Sequence, residues 1–264
     1  MSEQVAAEGV AAAAHAAAPS GGLAIDPMHQ FHINTIYPIH IGGYDVSFTN
    51  SALWMVIVAT AITLLTISGM GKRSLVPGRL QSVAELSYEF VSNMLRDNVG
   101  DAGKRFFPFV FTLFMFVLFC NMGGMLPYSF TVTSHIIVTF GLAMFIFLGV
   151  TILGFAVHGL HFFHFFVPKG VPALLLPLLV VIEVISYLTR PISLSVRLFA
   201  NMMAGHTMLK VFAGFVIAMG WLGGFLPLAF MVAFTGLEIL VAFLQAYVFA
   251  ILTCIYLNDA LHMH

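Results

Sequence analysis

Hydrophobic residues occur along the chain in five long runs, separated by shorter segments that hold most of the charged residues. A helix needs about 20 apolar residues to cross the hydrocarbon core of a bilayer. The runs predict five membrane helices, at residues 52–70, 106–126, 136–157, 172–214 and 226–257. We therefore expect an all-α polytopic membrane protein.

Residues 78–99 follow a different pattern. Apolar residues recur there at helical spacing among charged ones, as Val83, Leu86 and Phe90 do beside Glu85 and Glu89. One apolar face and one charged face are typical of a helix that lies in the membrane interface. We predict an interfacial amphipathic helix between the first and second spans.

The fourth apolar run is too long for a simple crossing. Its roughly 40 residues would extend about 60 Å as one helix, which is about twice the hydrocarbon thickness. A steeply tilted helix and two shorter helices both fit the pattern, and Pro191 could allow a bend. We expect a long, strongly tilted fourth helix that follows a curved partner surface.

The composition excludes a soluble protein. The chain is 60% hydrophobic and 8% charged, and a soluble domain needs far more charge on its surface. The net charge of −1 and the lack of a basic patch give no sign of a nucleic acid partner. Cys120 and Cys254 both lie in apolar runs and are interpreted as packing residues.

The positions of the basic residues predict the orientation. Residues 1–50 contain no Lys or Arg, whereas the connection between the first two spans holds Lys72, Arg73, Arg79, Arg96, Lys104 and Arg105. Loops rich in Lys and Arg stay on the inner side of the membrane. We therefore expect the N-terminus outside, the amphipathic helix on the inner side and the C-terminus in the cytoplasm.

The N-terminal segment is Ala-rich and polar rather than a targeting signal. It lacks the basic start and apolar core of a secretory signal, and it lacks the arginines of a mitochondrial presequence. We expect a flexible outer-side tail at residues 1–26 and one membrane domain at 27–264. Within that domain, residues 27–50 are predicted to form an outer-side interfacial segment.

Arg197 lies deep in the fourth run, with apolar residues on both sides. An arginine at such a depth costs about 2.5–3.5 kcal/mol on insertion scales, and it keeps its charge. It must face a partner charge or a water-filled cavity, which makes it a functional candidate. Arg190 is closer to the predicted inner end, and its side chain is interpreted as reaching the interface.

Other polar residues of the fourth run align with this arginine. At about 100° per residue, one helix face carries Ser186, Ser193, Arg197, Asn201 and Gly205. Glu183 lies at the edge of that face, and His206 points to the opposite side.

The last span carries a second polar face with Glu238, Gln245 and Tyr256. The pattern predicts two separate wet paths, one from Glu183 toward the arginine and one where His206 and Glu238 meet across the two helices. Both paths contain titratable groups suited to passing protons. An arginine between them cannot lose its proton, so it would block direct leakage.

Simpler interpretations of the individual residues stay open. Glu183 and Glu238 could be neutral carboxylic acids bonded to a neighbour. His206 could be a satisfied interior histidine, and Asn201 and Gln245 could be hydrogen-bond links between helices. Asn121 is interpreted as structural.

The chain shows no nucleotide-binding glycine loop and no nucleophile–base motif, so we expect no stand-alone enzymatic activity and no cofactor. His158, His161 and His164 are interpreted as an interfacial cluster rather than a metal site, because no carboxylate or cysteine stands nearby. Two other classes remain open. One is a proton-coupled transporter or channel that works alone, although the expected internal repeat is not visible. The other is a purely structural membrane subunit.

The segment from Ser193 to His206, SLSVRLFANMMAGH, resembles subunit a of the F-type rotary ATP synthase. The likeness extends upstream to Glu183 and Pro191, and downstream through Glu238 to residues 244–249 and 252–257. Residues 121–128 are similar to the family's motif at the end of its second span. The resemblance covers most of residues 27–260.

This resemblance implies a non-catalytic, proton-translocating stator subunit. The subunit would provide two offset half-channels and an essential arginine, Arg197, that faces the carboxylates of a ring of c subunits. Together they would couple proton flow to rotation and ATP synthesis. The other implied roles are the outer half-channel for Glu238 and His206, support around the arginine for Asn201 and Gln245, and the inner half-channel for Glu183, Ser186 and Ser193.

The resemblance also implies partners and a location. The partners are the c-subunit ring, peripheral-stalk b-type subunits, membrane lipids and protons, in a bacterial cell inner membrane. Histidine at 206 and glutamate at 238 follow the order of alphaproteobacterial and mitochondrial members, whereas many other bacterial members carry the two the other way round.

Overall fold

The computed structural model describes residues 31–38, 40–41, 44–45, 47–71, 78–126, 129–159, 162 and 175–262. These residues form helices α1 Asn50–Met70, α2 Arg79–Val99, α3 Phe107–Gly124, α4 Ile136–His158, α5 Leu176–Gly223 and α6 Phe225–Leu261. Short 3₁₀ helices at Gly100–Phe106 and Val132–Ser134 precede α3 and α4. The predicted tail at residues 1–26 lies outside the described residues.

Five helical segments are long and apolar enough to cross a membrane, which confirms the predicted all-α polytopic membrane protein. They are α1, the continuous segment from α2 through α3, α4, α5 and α6. Many of their large apolar side chains are exposed on the isolated chain, among them Leu64, Ile137 and Val232. Such surfaces suit contact with lipid or with other membrane subunits.

α2 places its apolar residues in two different surroundings. Its C-terminal half is buried in the bundle through Val91, Met94, Leu95 and Val99. Leu80, Val83 and Leu86, nearer its N-terminus, are exposed. α2 therefore packs on the bundle at one end and presents apolar surface at the other.

α5 is a helical run of 48 residues and would extend about 72 Å, more than twice the hydrocarbon thickness. It continues through Pro191, so the break that this proline could have caused does not occur. Neighbouring helices satisfy the backbone groups that a proline frees inside membrane helices. The kink lies instead at Gly220, whose φ of 66° and ψ of −163° are open to glycine but strained for other residues.

Two short antiparallel strand pairs precede α1, and the hydropathy pattern did not predict them. Strands β1 Thr35–Tyr37 and β4 Phe48–Thr49 pair with each other, and β2 His40–Ile41 pairs with β3 Tyr44–Asp45 between them. Asn50 connects this hairpin to α1, because its side chain accepts from the Asn34 N–H and donates to the His32 carbonyl.

The buried core lies along α6, which packs against α3 and against α5. Small residues on one face of α6 are fully buried, namely Ala242, Ala246 and Ala250. Small side chains let membrane helices approach closely, and dispersion contacts then hold them together. Cys120 and Cys254 are buried in this core as free thiols, in agreement with a packing role.

Candidate functional site

Polar residues of α5 and α6 meet at three successive levels, two of which contain the candidate residues. From one level to the next, the residue number falls along α5 and rises along α6. The two helices therefore run antiparallel. The first, second and third levels are the contacts His206–Glu238, Asn201–Gln245 and Arg190–Asp259. At 1.5 Å per residue, the first two levels lie about 7.5 Å apart along α5, and the third lies about 16.5 Å further on.

The first level is a buried acid–histidine pair. His206 Nδ1 lies 3.0 Å from Glu238 Oε1, and the two side chains are 8% and 5% exposed. The approach has the distance of an ion pair but not the alignment of a hydrogen bond, since Oε1 has no hydrogen-bond partner. Glu238 Oε2 and His206 Nε2 also have none among the described residues. Buried polar atoms in proteins usually have hydrogen-bond partners, so these atoms are able to form further hydrogen bonds.

Gly205 makes room for this carboxylate. A Cβ at position 205 would lie 2.7 Å from Glu238 Oε1 and 3.1 Å from its Cδ. Helical periodicity places this glycine on the face of Arg197, and no pattern in the sequence connects it with Glu238. The contact depends on the spacing of two helices, for which the sequence carries no local signal.

The second level is an amide–amide hydrogen bond. Asn201 Nδ2 donates to Gln245 Oε1 at 2.9 Å, with Gln245 buried and Asn201 exposed. On α3, Asn121 Nδ2 donates to the Ala242 carbonyl at 3.2 Å, which fits the structural role expected of it. Gln245 Nε2 and Asn121 Oδ1 have no partner among the described residues, so each can form a further hydrogen bond at this level.

Arg197 lies one helical turn from Asn201 on an exposed face of α5. No carboxylate in the described part of the chain forms an ion pair with it. The predicted face is present, because Ser186, Ser193 and Asn201 are exposed with it. The buried face of α5 carries Leu194, Leu198 and Met202. An arginine at membrane depth needs a partner charge or a water-filled cavity, and none of the described carboxylates supplies that charge.

The third level was not anticipated. Arg190 Nη1 donates to Asp259 Oδ2 at 3.0 Å, instead of reaching alone toward the interface. Its guanidinium lies 5.3 Å from the ring centre of Tyr187 and 5.0 Å from that of Tyr256. Asp259 lies in the last turn of α6 outside any motif, which is why sequence reasoning missed it.

The remaining candidates stand apart from these levels. Glu183 is half-buried and Ser186 is exposed, about 21 and 16 Å from Arg197 along α5. His158 Nε2 lies 3.1 Å from the Ala260 carbonyl oxygen, while His161 and His164 lie outside the described residues. In the part of the chain that the structure covers, no group of three potential metal ligands comes together.

Five helices that are long and apolar enough to cross a membrane, with a buried acid–histidine pair between two of them, define a polytopic membrane protein with a polar interior. The sequence profile of the family described as ATP synthase A chain matches residues 52–258. The chain belongs to this family, as its resemblance predicted. It is therefore a subunit of the membrane sector of an ATP synthase, and it has no stand-alone enzymatic activity.

Relatives support this assignment over nearly the whole chain. The chain is 66% identical over 243 residues to ATP synthase subunit a of Pelagibacter ubique, covering 92% of this chain and 100% of the relative. It is 60% identical over 248 residues to ATP synthase subunit a of Parvibaculum lavamentivorans, covering 92% and 95%. For ATP synthase subunit a of Mesorhizobium japonicum the identity is 64% over 247 residues, covering 90% and 97%.

Proposed function

We propose that this chain is the stator of a proton-driven rotary ATP synthase and forms two offset half-channels on either side of Arg197. The observation that carries the proposal is the exposed Arg197 without a carboxylate partner among the described residues. Its charge is permanent, so a carboxylate from another subunit must approach it. A ring of c subunits, each with one acid, meets that requirement.

The outer half-channel runs through the first two levels. Glu238 and His206, a carboxyl and an imidazole side by side, exchange protons with the outer side. Asn201 and Gln245 continue the polar surface toward the ring face at the second level. A proton that arrives there neutralises a ring carboxylate, which can then enter lipid at far lower cost than the charged form.

Arg197 releases the proton after rotation. As a protonated ring acid approaches from the inner side, the guanidinium favours the ionised carboxylate, and the proton departs. Glu183, Ser186 and Ser193 line the inner half-channel along the same exposed face of α5. Each charge that crosses supplies about 2.3 kcal/mol per 100 mV of membrane potential, and this energy turns the ring.

The rest of the chain serves this arrangement. The 48 residues of α5 tilt strongly so that their exposed face follows the curved ring. α2 lies in the inner interface, where its exposed Leu80, Val83 and Leu86 contact lipid acyl chains. The N-terminus lies outside and the C-terminus in the cytoplasm, in a bacterial inner membrane, with b-type stalk subunits as further partners.

Replacement of Gly205 by alanine is expected to lower proton flow. The added Cβ displaces the Glu238 carboxylate, because it would lie 2.7 Å from Oε1, and the 3.0 Å approach to His206 is lost. Alanine also favours a helix over glycine by roughly 0.5–1 kcal/mol, so the fold is not weakened locally. ATP-driven proton pumping, measured in inside-out vesicles, should fall several-fold at an unchanged amount of assembled complex.

Gly236→Ala is the matched control. Gly236 lies two residues from Glu238 on α6, and a Cβ there meets nothing within 4 Å. It should leave pumping at the parent value. Equal losses in the two variants would mean that the position of the Glu238 carboxylate does not govern the flux.

The inner half-channel and the orientation can be tested by cysteine labelling with a membrane-impermeant thiol reagent. The native thiols need no replacement, because Cys120 and Cys254 are 1% and 0% exposed. Ser186→Cys should react only when the reagent is on the inner side, and Tyr37→Cys only when it is on the outer side. Leu188→Cys is the control, since Leu188 is also exposed but lies on another face of α5, two residues and therefore about 160° around the helix from Ser186. Labelling of Ser186→Cys from the outer side would refute the orientation.

A further inference from the structure

The third level of the α5–α6 interface takes no part in the two proton paths, yet it is firmly held. Arg190 is bonded to Asp259 at 3.0 Å and lies between the rings of Tyr187 and Tyr256. Both ring distances are within the range of cation–π attraction. A planar guanidinium suits such a site better than an ammonium group, because it stacks and bonds at the same time.

The same end of the bundle includes a third helix. The Tyr187 hydroxyl on α5 and the Thr151 hydroxyl on α4 lie 2.7 Å apart. His158 on α4 lies 3.1 Å from the Ala260 carbonyl oxygen on α6. α4, α5 and α6 are thus joined to one another around the Arg190–Asp259 pair.

The interface between the second and third levels is mainly apolar. Its side chains of at most 2% exposure include Leu194, Leu198, Phe249, Ala250 and Cys254. The antiparallel register set by the three levels places them between Asn201–Gln245 and Arg190–Asp259. The hydroxyls of Ser195 and Thr253 donate to carbonyls of their own helices, at 3.0 and 2.8 Å, and do not bridge α5 and α6.

We infer that this apolar layer and the Arg190–Asp259 pair together form an inner seal that closes the space between α5 and α6. A proton that reaches Asn201 and Gln245 then has no continuous polar route to the inner side along this interface. It leaves sideways, at the exposed face where Arg197 meets the ring. The inference rests on the proposed function. It explains why proton flow is coupled to rotation, because the direct route between α5 and α6 is closed. Arg190 and Asp259 are positioning residues, since they hold the two helices together.

Loss of either partner should open the seal. Removing one member of a paired, partly buried ion pair leaves an uncompensated charge, which favours the entry of water. Water between α5 and α6 would connect the second level with the inner side. The expected consequence is a proton leak that bypasses the ring.

The test is the passive proton permeability of vesicles that carry the assembled complex, measured without nucleotide, together with ATP hydrolysis and ATP-driven pumping. Arg190→Ala and Asp259→Ala should each raise the permeability several-fold and lower the pumped gradient, while hydrolysis continues. If the variants only assembled less complex, ATP-driven pumping would fall. The proton permeability per assembled complex would then stay at the parent value. Lys104→Ala, which breaks the exposed pair with Asp101, is the matched control and should leave the permeability unchanged.

Restoration of the pair separates a seal from a general disturbance. The exchanged variant Arg190→Asp with Asp259→Arg should recover much of the low permeability, and Arg190→Lys should recover part of it. Parent-like permeability in both alanine variants would overturn the inference. The proposed function would fail by a different result, namely normal coupled synthesis in Arg197→Ala, so the two failures can be told apart.

Discussion

Arg197→Ala should abolish coupled ATP synthesis in membrane vesicles while the complex still assembles with its ring. The arginine is exposed on α5, carries a permanent charge and pairs with no carboxylate among the described residues. Alanine cannot favour the ionised form of a ring carboxylate, so the proton is not released at this point. Proton-driven synthesis per assembled complex is the measurement, and we expect it to fall to background.

The control for this variant removes an arginine from elsewhere. Arg96 on α2 is exposed and lies in the basic connection between the first two spans. Arg96→Ala should retain most of the parent synthesis, although both variants lose one positive charge. Normal synthesis in Arg197→Ala would make this residue structural, and the proposed stator function would be wrong.

Glu238→Gln should give the second largest loss. Glutamine keeps the shape of the side chain beside Gly205 and His206 and removes its ability to carry a proton. We expect ATP synthesis to fall by roughly tenfold. A positioned acid or base contributes about 100-fold or more to a rate. The expected loss is smaller here because water can carry part of the proton flux. Synthesis measured against the imposed pH gradient is the test.

Two further variants define what Glu238 contributes. Glu89→Gln, at an exposed glutamate of α2, should leave synthesis unchanged. The exchange His206→Glu with Glu238→His keeps the composition of the pair, and it should restore a substantial part of the activity that Glu238→Gln loses. Failure of the exchange together with full activity of Glu238→Gln would remove this pair from the proton path.

The helical architecture could be predicted because membrane insertion depends on the summed hydropathy of about 20 neighbouring residues. The five spans and the depth of Arg197 follow from that local quantity. Helical periodicity also placed Ser186, Ser193 and Asn201 on one face with Arg197, and the structure exposes all of them. The motif around Arg197 indicated the family that the sequence profile confirms.

The course of α5 at Pro191 and at Gly220 could be known only from the tertiary structure. The sequence allowed a bend at Pro191, but the helix runs through this residue. Gly220 is kinked instead. The strands before α1 also escaped prediction, since each has only two or three residues and too few positions for an alternating pattern.

The sequence by itself therefore determined the membrane class, the number of spans and the candidate ionisable residues, because hydropathy and helical periodicity are properties of neighbouring residues. The polar pattern also predicted that His206 and Glu238 meet, but only the tertiary structure decided how these and other residues come together. It set the 3.0 Å approach of His206 to Glu238, the room provided by Gly205 and the pairing of Arg190 with Asp259. These contacts depend on the register and spacing of α5 against α6, which arise from close packing of small and apolar side chains far apart in the chain.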